Sequence, residues 1–350
     1  MTRIAIGRAD LAAVEILDEP SPDLDHGQIR LTIDRFGLSA NNISYAMTGD
    51  FLGYWAHFPV DDARGCVPVW GFADVAESRH GEFAVGERIF GYLPMGTELV
   101  VRPDAVTDLA FHDASDHRAA LHPWYTRLYR CGADPAYDAD GEGLQAIVWA
   151  LFMTGWALAD ELAASARTVV ASSASSKTAL AMAWSLQQLD TTVEVVGLTS
   201  AANVDFVAST GVYDAVHTYD DLGLGQVAGP VAFVDYAGSQ GLKERVHAAL
   251  GERLADSVIV GGTHKGGEPG TGELSGPAPR FFFIPDVAEA AEGGHPAFHA
   301  RFADALGRFS PWIAEHLDIA ETAGIDTVVA AYRRLLSDNP SPNEGLVFTW

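Results

Sequence analysis

The stretch VVASSASSKTALAMAWSLQQ, residues 169–188, decides the class of fold. Its apolar start is typical of a buried strand, and its second half has the apolar spacing of a helix. The turn between them, residues 172–178, holds four serines and a lysine where a nucleotide-binding turn usually has glycines. A strand that runs directly into a helix predicts one unit of a parallel α/β sheet.

The chain repeats this alternation after residue 188. Strand patterns occur in TVEVVGL, DAVHTY, VAFVDYAG and DSVIVGG, with helical stretches between them. We therefore predict an α/β domain with a doubly wound parallel sheet over residues 144–275, opened by a buried helix at about 144–164. Sheets of this kind bind ligands beyond the carboxyl ends of their strands.

Residues 1–143 are predicted to form a small, irregular β-barrel. QIRLTIDRFGL alternates apolar and polar residues, and short strands broken by Gly and Pro follow it. The stretch at about 105–143 has no clear period, and we interpret it as a long loop, with its aromatic residues forming a lid over a substrate. Residues 276–350 either form a third unit or return to complete the barrel, and Phe281–Phe283 is predicted to be a buried strand.

That long loop also carries several histidines. Its candidate residues are His112, His117, His122, Trp124, Tyr125 and Tyr129. Histidines five residues apart do not share a helix face, so the spacing argues against a metal site there.

Composition restricts the partners. The chain has 22 basic and 47 acidic residues, a net charge of −25, which repels nucleic acid and anionic membranes. We expect neither as a partner.

Cys66 and Cys131 are the only cysteines, a number typical of a reduced cytoplasmic protein without a disulfide or zinc framework. The start, MTRIAIGRAD, lacks the apolar run of a secretory signal. AIVWALFMTGWALA, residues 146–159, is shorter than the roughly 18–20 residues of a bilayer span, so we expect a buried helix.

The serine-filled turn has two interpretations. Serine is a favoured N-cap, so these residues can simply begin the helix. Alternatively, hydroxyl groups and a lysine at a helix N-terminus can donate to a phosphate. The candidate phosphate-binding residues are Ser173, Ser175, Ser176, Lys177 and Thr178. A P-loop is excluded, because both glycines of its motif are missing.

The distribution of lysine favours anion binding. The chain has three lysines, Lys177, Lys243 and Lys265, and each follows the carboxyl end of a predicted strand. In an otherwise acidic chain, this places positive charge at the edge of the sheet where a phosphate would bind.

The order of these segments resembles the medium-chain dehydrogenase/reductase superfamily, and most closely its zinc-free quinone and enoyl reductases. The resemblance covers nearly the whole chain, although no single stretch is a sharp signature. The matching stretches are RFGLSANNISYAMTG, GEFAVGERIFGYLPMG, ALFMTGWALADEL, VEVVGLTSAANVDFVASTGVYDAVHTYDD, FVDYAGSQGL and VIVGGTHKG. The resemblance implies a GroES-like domain formed by residues 1–143 and 276–350 around a Rossmann-type domain, with nicotinamide cofactor and substrate in the cleft.

The resemblance also implies how the site is built. Zinc-dependent relatives need Cys, His and Glu ligands, whereas the matching stretches here read GLSANN and WGFAD, so we expect no zinc. A zinc-free reductase stabilises a developing substrate oxyanion with neutral donors, here Asn42 and Tyr45. Phe51 stands where enoyl reductases carry a tyrosine, which makes Tyr54 the nearest substitute proton donor. For Tyr45 and Tyr92, packing alone is an equally open explanation.

The choice of cofactor depends on the second strand of the sheet. NAD-binding sites place an acid at its end, and this chain has Thr199 and Ser200 there. This favours NADPH, with Lys265 as a further basic residue at the same edge of the sheet.

Two functions are therefore carried forward. The first is a zinc-independent, NADPH-dependent oxidoreductase that reduces an activated double bond or a quinone, as a cytoplasmic homodimer acting on a small molecule. The second is a fold relative that has lost nicotinamide binding, and that binds an acyl-CoA or another phosphorylated ligand or is non-catalytic. The serine-filled turn distinguishes them, because only the first requires it to accept a pyrophosphate.

Overall fold

The structure is a computed structural model that describes residues 1–261, 272–337 and 340–350. The N-terminal segment is rich in short strands, in agreement with the predicted barrel. Its strands are β1 (Thr2–Gly7), β2 (Val14–Asp18), β3 (Ile29–Leu38), β4 (Arg64–Gly65), β5 (Pro68–Ser78), β6 (Arg88–Pro94), β7 (Glu98–Val101), β8 (Pro103–Asp104), β9 (Ala110–Asp113) and β10 (Arg127–Arg130). Its helices are α1 (Ala40–Met47) and α2 (Pro123–Thr126).

The middle segment alternates strands and helices. Its helices are α3 (Glu142–Ser165), α4 (Lys177–Gln188), α5 (Val204–Ser209), α6 (Gln240–Leu250), α7 (Ile284–Ala290) and α8 (Gly294–Ala314). Its strands are β11 (Thr168–Ala171), β12 (Glu194–Thr199), β13 (Ala215–Thr218), β14 (Val231–Asp235), β15 (Leu254–Ile259) and β16 (Arg280–Phe281). The chain then forms β17 (Asp318–Ala323), α9 (Ile325–Ser337) and β18 (Glu344–Thr349).

The chain divides into two compact units. Unit 1 comprises Met1–Ile147 and Leu317–Trp350, and unit 2 comprises Val148–His316. The sequence placed the return to the first unit at residue 276, and the structure places residues 276–316 in unit 2 instead. The reason is that β16 extends the parallel sheet beside β15, and that the ring of Phe309 on α8 stacks on Phe152 of α3 at 4.3 Å.

Unit 1 is built mainly on antiparallel pairing, and β17 and β18 form its parallel pair. Its large sheet runs in the order β17-β18-β3-β5-β6-β10-β9-β8, with β7 also pairing with β3, and a small sheet runs β2-β1-β4. Ile29, Leu31 and Ile33 of β3 point into the core, as their alternation predicted. The predicted lid-like loop at 105–143 is wrong in part, because β9 and β10 pair with each other and β10 pairs with β6. Four-residue strands are too short to show a period.

Unit 2 contains the doubly wound sheet. All of its neighbouring strands are parallel, and their order β13-β12-β11-β14-β15-β16 is the Rossmann order 3-2-1-4-5-6. One face of the sheet packs on α6 through an apolar core formed by Val170, Val196, Leu198, Val231, Phe233, Leu242, Val246 and Leu250. The switch in strand order falls at β11, so the serine-filled turn lies where such a sheet binds its ligand.

Helix α3 is the apolar helix that the sequence predicted to be buried. Among the described residues it is the one helix long and apolar enough to cross a membrane, and 61% of its most apolar stretch is buried within the protein. Core helices pass the same test.

The prediction that Phe281–Phe283 forms a buried strand is wrong for Phe281, which is 54% exposed on the edge strand β16, while Phe282 is buried.

Candidate functional site

The serine-filled turn is held together by hydrogen bonds within the protein. The buried Ser172 hydroxyl donates to Asp235 Oδ1 at 2.9 Å and accepts from the backbone amides of Tyr236 and Ala237, each at 3.0 Å. Asp235 Oδ1 also accepts from the amide of Gly238 at 3.0 Å. These bonds join the carboxyl ends of β11 and β14, so Ser172 has a structural role.

The next residues of the turn are bonded to neighbouring strands. Ser173 has a φ of +49°, a left-handed conformation that usually favours glycine, and its amide donates to the Tyr219 hydroxyl at 3.0 Å. The amide of Ala174 donates to the carbonyl of Leu198 at 3.0 Å, and its own carbonyl accepts from the Tyr213 hydroxyl at 2.9 Å. The backbone that would approach a pyrophosphate in a glycine-rich turn is therefore largely occupied.

The remaining predicted residues lie at the start of α4. Ser176 is its N-cap and accepts from the amide of Ala179 at 3.3 Å, so the capping interpretation is correct for this serine. Ser175 accepts from Asn203 Nδ2 at 3.1 Å. Lys177 and Thr178 are the first two residues of the helix and are half-buried.

The three lysines do not all lie as the interpretation of an anion site requires. The Nζ atom of Lys243 lies 3.2 Å from Asp235 Oδ2 in a buried ion pair, so its charge is taken up within the protein. Lys265 lies outside the described residues. Of the two lysines that the structure describes, Lys177 is the first residue of its helix, α4.

The end of β12 is neutral, as predicted. The hydroxyl of Thr199 is buried without a hydrogen-bond partner in the described residues, and Ser200 begins the turn that follows. The structure also brings a basic residue here that the sequence analysis missed. Arg245 Nη1 donates to the carbonyl of Tyr219 at 2.7 Å, and the amide of Tyr219 donates to the carbonyl of Thr199 at 3.0 Å. Because Arg245 lies on α6, its separation along the chain hid it.

The groups around α4 fit the phosphates of a dinucleotide in part. An N-cap serine satisfies one amide of the first helical turn and leaves others to meet an anion, and the macrodipole favours negative charge at this end. Ser175, Lys177 and Thr178 lie at this end, and the residues at the end of β12, Thr199 and Ser200, are themselves neutral. Ser172 and Ser173 contribute less, because their groups are bonded within the protein.

Unit 1 contains a tyrosine cluster, which we define as Tyr45, Tyr54, Tyr92 and Tyr125. The rings of Tyr45 and Tyr54 stack with centroids 4.4 Å apart, and Tyr92 lies 5.8 Å from Tyr45. Tyr125 lies 5.6 Å from Tyr92 and 6.2 Å from Tyr54. The two tyrosines predicted as site residues are therefore adjacent, and they are joined by two that sequence reasoning did not select for catalysis.

Burial sets the protonation of this cluster. It raises the pKa of each of the four hydroxyl groups above its ordinary value. For Tyr45, the polar groups of Tyr92, Trp70 and Asn41 nearby offset part of this rise in pKa, and Asn41 is the one that makes a hydrogen bond of good geometry. The cluster therefore stays protonated at neutral pH, the state in which a phenol can donate a hydrogen bond or a proton.

Helix α1 presents an asparagine to the cluster, one residue before the predicted one. Asn41 Nδ2 lies 2.6 Å from the Tyr45 hydroxyl. Asn42 is instead the third residue of α1 and forms a capping box with Ser39, in which its Oδ1 accepts from the amide of Ser39 at 2.8 Å. Its Nδ2 donates to the carbonyl of Pro68 at 2.9 Å. A catalytic role for Asn42 stays a prediction, and its amide is already used to cap the helix.

His57 adjoins the tyrosine cluster. Its ring lies 5.2 Å from Tyr92 and 5.7 Å from Tyr125. Burial, together with the nearby charge of Arg118, lowers the pKa of His57 to about 3, so its imidazole is neutral. The histidines of the predicted lid are dispersed: His112 bonds Thr126, His117 bonds the carbonyl of His57, and His122 caps α2.

Phe51 does not join the cluster as the tyrosine of enoyl reductases would. It is 88% exposed, whereas Tyr54 stacks on Tyr45.

For metals, the described ranges contain no group of three His, Cys, Asp or Glu residues that could hold an ion, and Cys66 and Cys131 are free and buried. A zinc-free site stays a prediction.

The two units together define the fold class. The chain has the fold of the medium-chain dehydrogenases/reductases, a GroES-like barrel with a Rossmann-type doubly wound sheet. It is similar to CurA from Vibrio vulnificus in complex with NADPH, at 15% identity and a TM-score of 0.61, covering 100% of this chain and 99% of that one. It is also similar to a putative NADPH:quinone reductase from Bacillus thuringiensis, at 13% identity and a TM-score of 0.64, covering 100% and 98%.

Likenesses at these identities establish the fold alone. The chain belongs to the family described as "Protein of unknown function (DUF2855)", whose profile matches residues 36–340. No curated protein matches the chain.

Proposed function

We propose that the chain is a zinc-independent, NADPH-dependent oxidoreductase that reduces an activated double bond or a quinone. The observation that carries the proposal is the stacked pair of Tyr45, which is buried, and Tyr54, which is half-buried, both held protonated in the barrel unit of a reductase fold. The NADPH-bound relative of the same fold supports the choice of cofactor. We further propose a cytoplasmic homodimer with a small-molecule substrate and without nucleic-acid or membrane partners, in keeping with the net charge of −25.

The residues of the tyrosine cluster supply the polar part of this reaction. NADPH, when bound, supplies the hydride. A carbonyl oxygen that gains negative charge as the hydride arrives needs neutral donors, and the hydroxyl of Tyr54 is proposed as the proton donor. Tyr45 positions Tyr54 through their stacked rings, and its own hydroxyl is fixed by Asn41 at 2.6 Å. The surrounding aromatic rings exclude water, which strengthens these hydrogen bonds.

The cofactor is proposed to bind unit 2 through the start of α4 and the end of β12. Lys177 and Thr178, with Ser175 beside them, would meet the pyrophosphate at the helix N-terminus. The 2′-phosphate would lie near Thr199 and Ser200, where Arg245 supplies a positive charge.

A second candidate function rests on the turn itself. The Ser172 hydroxyl and the Ser173 amide are used within the protein, which is the arrangement expected of a fold relative that no longer binds a nicotinamide. Such a protein would bind an acyl-CoA or another phosphorylated ligand at the start of α4, or would be non-catalytic.

Calorimetric titration of the full chain with NADPH, NADH and CoA distinguishes the two. The first function predicts NADPH binding that is tighter than NADH binding by about 1 kcal/mol or more, the contribution of a charged hydrogen bond. Arg245→Gln should reduce this preference, whereas Arg308→Gln, an exposed residue of α8 paired with Asp304, serves as the matched control. Binding of CoA without either nicotinamide would favour the second function.

A further inference from the structure

Arg118 is a buried arginine whose guanidinium is not satisfied by the protein. Its side chain is 1% exposed and its Cζ lies 4.6 Å above the ring of Phe58. Within the residues that the structure describes, its Nη1 and Nη2 have no hydrogen-bond acceptor. Arginine carries five N–H donors, and buried donors without acceptors are costly and rare in native proteins.

The one carboxylate beside Arg118 satisfies it only in part. Asp113 Oδ2 lies 3.3 Å from Arg118 Nε, a charge contact without good hydrogen-bond geometry. The other oxygen of Asp113 is used by its own loop, since it accepts from the amides of Arg102 and Ser115 at 3.0 Å and from the Ser115 hydroxyl at 2.6 Å. The Nη face of Arg118 is left for another acceptor.

Another arginine of unit 1 shows what a satisfied counterpart looks like. Arg130 also lies over a phenylalanine, with its Cζ 4.9 Å from the ring of Phe83. All of its nitrogens have acceptors: Nε and Nη2 donate to Glu87, Nη1 to the carbonyl of Thr107, and Nη2 also to the carbonyl of Glu82. Stacking on an aromatic ring therefore does not by itself leave an arginine unsatisfied in this fold.

Arg118 is connected to the tyrosine cluster through Phe58 and His57. Phe58, beneath Arg118, follows His57, whose ring contacts Tyr54, Tyr92 and Tyr125. The Nδ1 atom of His57 is also buried without a hydrogen-bond partner among the described residues. Arg118 and His57 thus both hold buried polar atoms without a described partner, and His57 is in contact with the tyrosines.

We propose that Arg118 and His57 bind a carboxylate of the substrate, so that the substrate is an activated double bond or quinone that carries an acid group. A carboxylate matches the planar, bidentate geometry of a guanidinium. A doubly charged phosphate is a poorer match, since Asp113 already offsets part of the single positive charge. The assignment of the reaction rests on the proposed function, whereas the assignment of anion binding does not.

The test compares an acid with its ester at the full-length protein. The binding probes are 3-benzoylpropanoate and its ethyl ester, measured by calorimetry without NADPH. The wild-type protein should bind the acid roughly 10–100-fold more tightly than the ester, the factor expected for hydrogen bonds to a charged group. Arg118→Met should remove this preference, and Arg118→Lys should retain part of it. Arg130→Met is the matched control and should leave the preference unchanged.

Folding is controlled separately, because Arg118→Met leaves Asp113 buried without its partner. The double variant Arg118→Met/Asp113→Asn removes both charges, and its unfolding midpoint shows whether the protein is intact. Equal binding of acid and ester by the wild type, binding of neither, or a preference that survives in the folded double variant would overturn the proposal.

The reaction is tested with trans-3-benzoylacrylate and its ethyl ester, by following NADPH consumption. A higher kcat/KM for the acid that is lost in the Arg118 variants supports the proposal. If the saturated acid binds through Arg118 while NADPH neither binds nor is consumed, the anion site stands and the proposed reductase function fails.

Discussion

Substituting Ser172 with alanine tests whether the serine-filled turn is part of the fold. The hydroxyl donates to the Asp235 carboxylate and accepts from two backbone amides, and all of these groups are buried. Its removal deletes a hydrogen bond to a charged group, about 1.5–3 kcal/mol, and takes an acceptor from Tyr236. Ala237 keeps Asp235 Oδ1 as an acceptor at 3.1 Å, so its loss is smaller. We expect Ser172→Ala to lower the free energy of unfolding by about 2–4 kcal/mol.

Two other serines provide comparisons for the size of this loss in the free energy of unfolding. Ser176→Ala removes one capping bond of 3.3 Å at a half-buried position and should cost about 1 kcal/mol. Ser185 on α4 is buried like Ser172, but its hydroxyl has no partner in the part of the chain that the structure describes, so Ser185→Ala should be neutral or stabilising. The three variants therefore separate a bonded, a capping and an unbonded serine.

The assay is urea unfolding followed by circular dichroism, with NADPH titration of each folded variant at low urea. A loss for Ser172→Ala no larger than that for Ser176→Ala would refute the reasoning. So would a stable Ser172→Ala protein with weakened NADPH binding, since the hydroxyl would then act on the ligand instead of the fold.

Four further results are expected. Lys177→Ala should weaken NADPH binding by about 1.5–3 kcal/mol, less at high salt, with little change in stability, and a silent variant would reduce Lys177 to a surface residue. Tyr54→Phe should lower kcat by about 100-fold or more at unchanged NADPH affinity, and the wild-type rate should not fall as pH rises to 9, because burial raises the pKa of Tyr54. Burial lowers the pKa of His57 to about 3, so its neutral form contributes stability above pH 6.5 that is lost as pH falls from 6.5 towards 3. The free energy of unfolding of His57→Gln should therefore fall by about 2 kcal/mol less than that of the wild type between pH 7 and 5. An equal fall in both proteins would contradict this. Elemental analysis should find no stoichiometric zinc, and one tightly bound zinc per chain would overturn the zinc-free prediction.

The sequence predicted those parts of the fold that depend on local period. The alternation of strands and helices from β11 to β15 and the half-buried β3 were correct, because each leaves several consecutive positions to reveal its pattern. The four-residue strands β9 and β10 were missed, since so few positions show no period. Phe281 was predicted to be buried from its apolar neighbours, yet it lies on a two-residue edge strand where one face meets solvent.

The candidate site was harder to predict, because its partners are distant in sequence. Nothing in the run of serines indicates that Ser172 will bond to Asp235, 63 residues later. Arg118 reads as a surface charge in sequence, and only the fold shows that it is buried against Phe58. Asn41 and Asn42 are chemically identical neighbours: Asn41 lies four residues before Tyr45 on α1 and reaches it, whereas Asn42 is held by the capping box.

The structure also indicates how a Rossmann-type turn can form without glycine. A glycine-rich turn performs three tasks: a tight bend, close packing of the helix, and close approach of the backbone to the pyrophosphate. The bend is made by Ser173 at φ +49°, with its amide bonded to Tyr219.

A glycine outside the turn permits a different close approach, between the helices α3 and α4. A Cβ atom at Gly155 of α3 would lie 2.7 Å from the carbonyl oxygen of Thr178 and 2.6 Å from the amide nitrogen of Met182, so only glycine lets α3 approach α4. No residue of the turn offers its backbone for the third task, the approach to the pyrophosphate. Contact with the pyrophosphate is left to the side chains at the start of α4. The nicotinamide binding that we propose would therefore depend on Lys177 to a degree that a glycine-rich turn would not require.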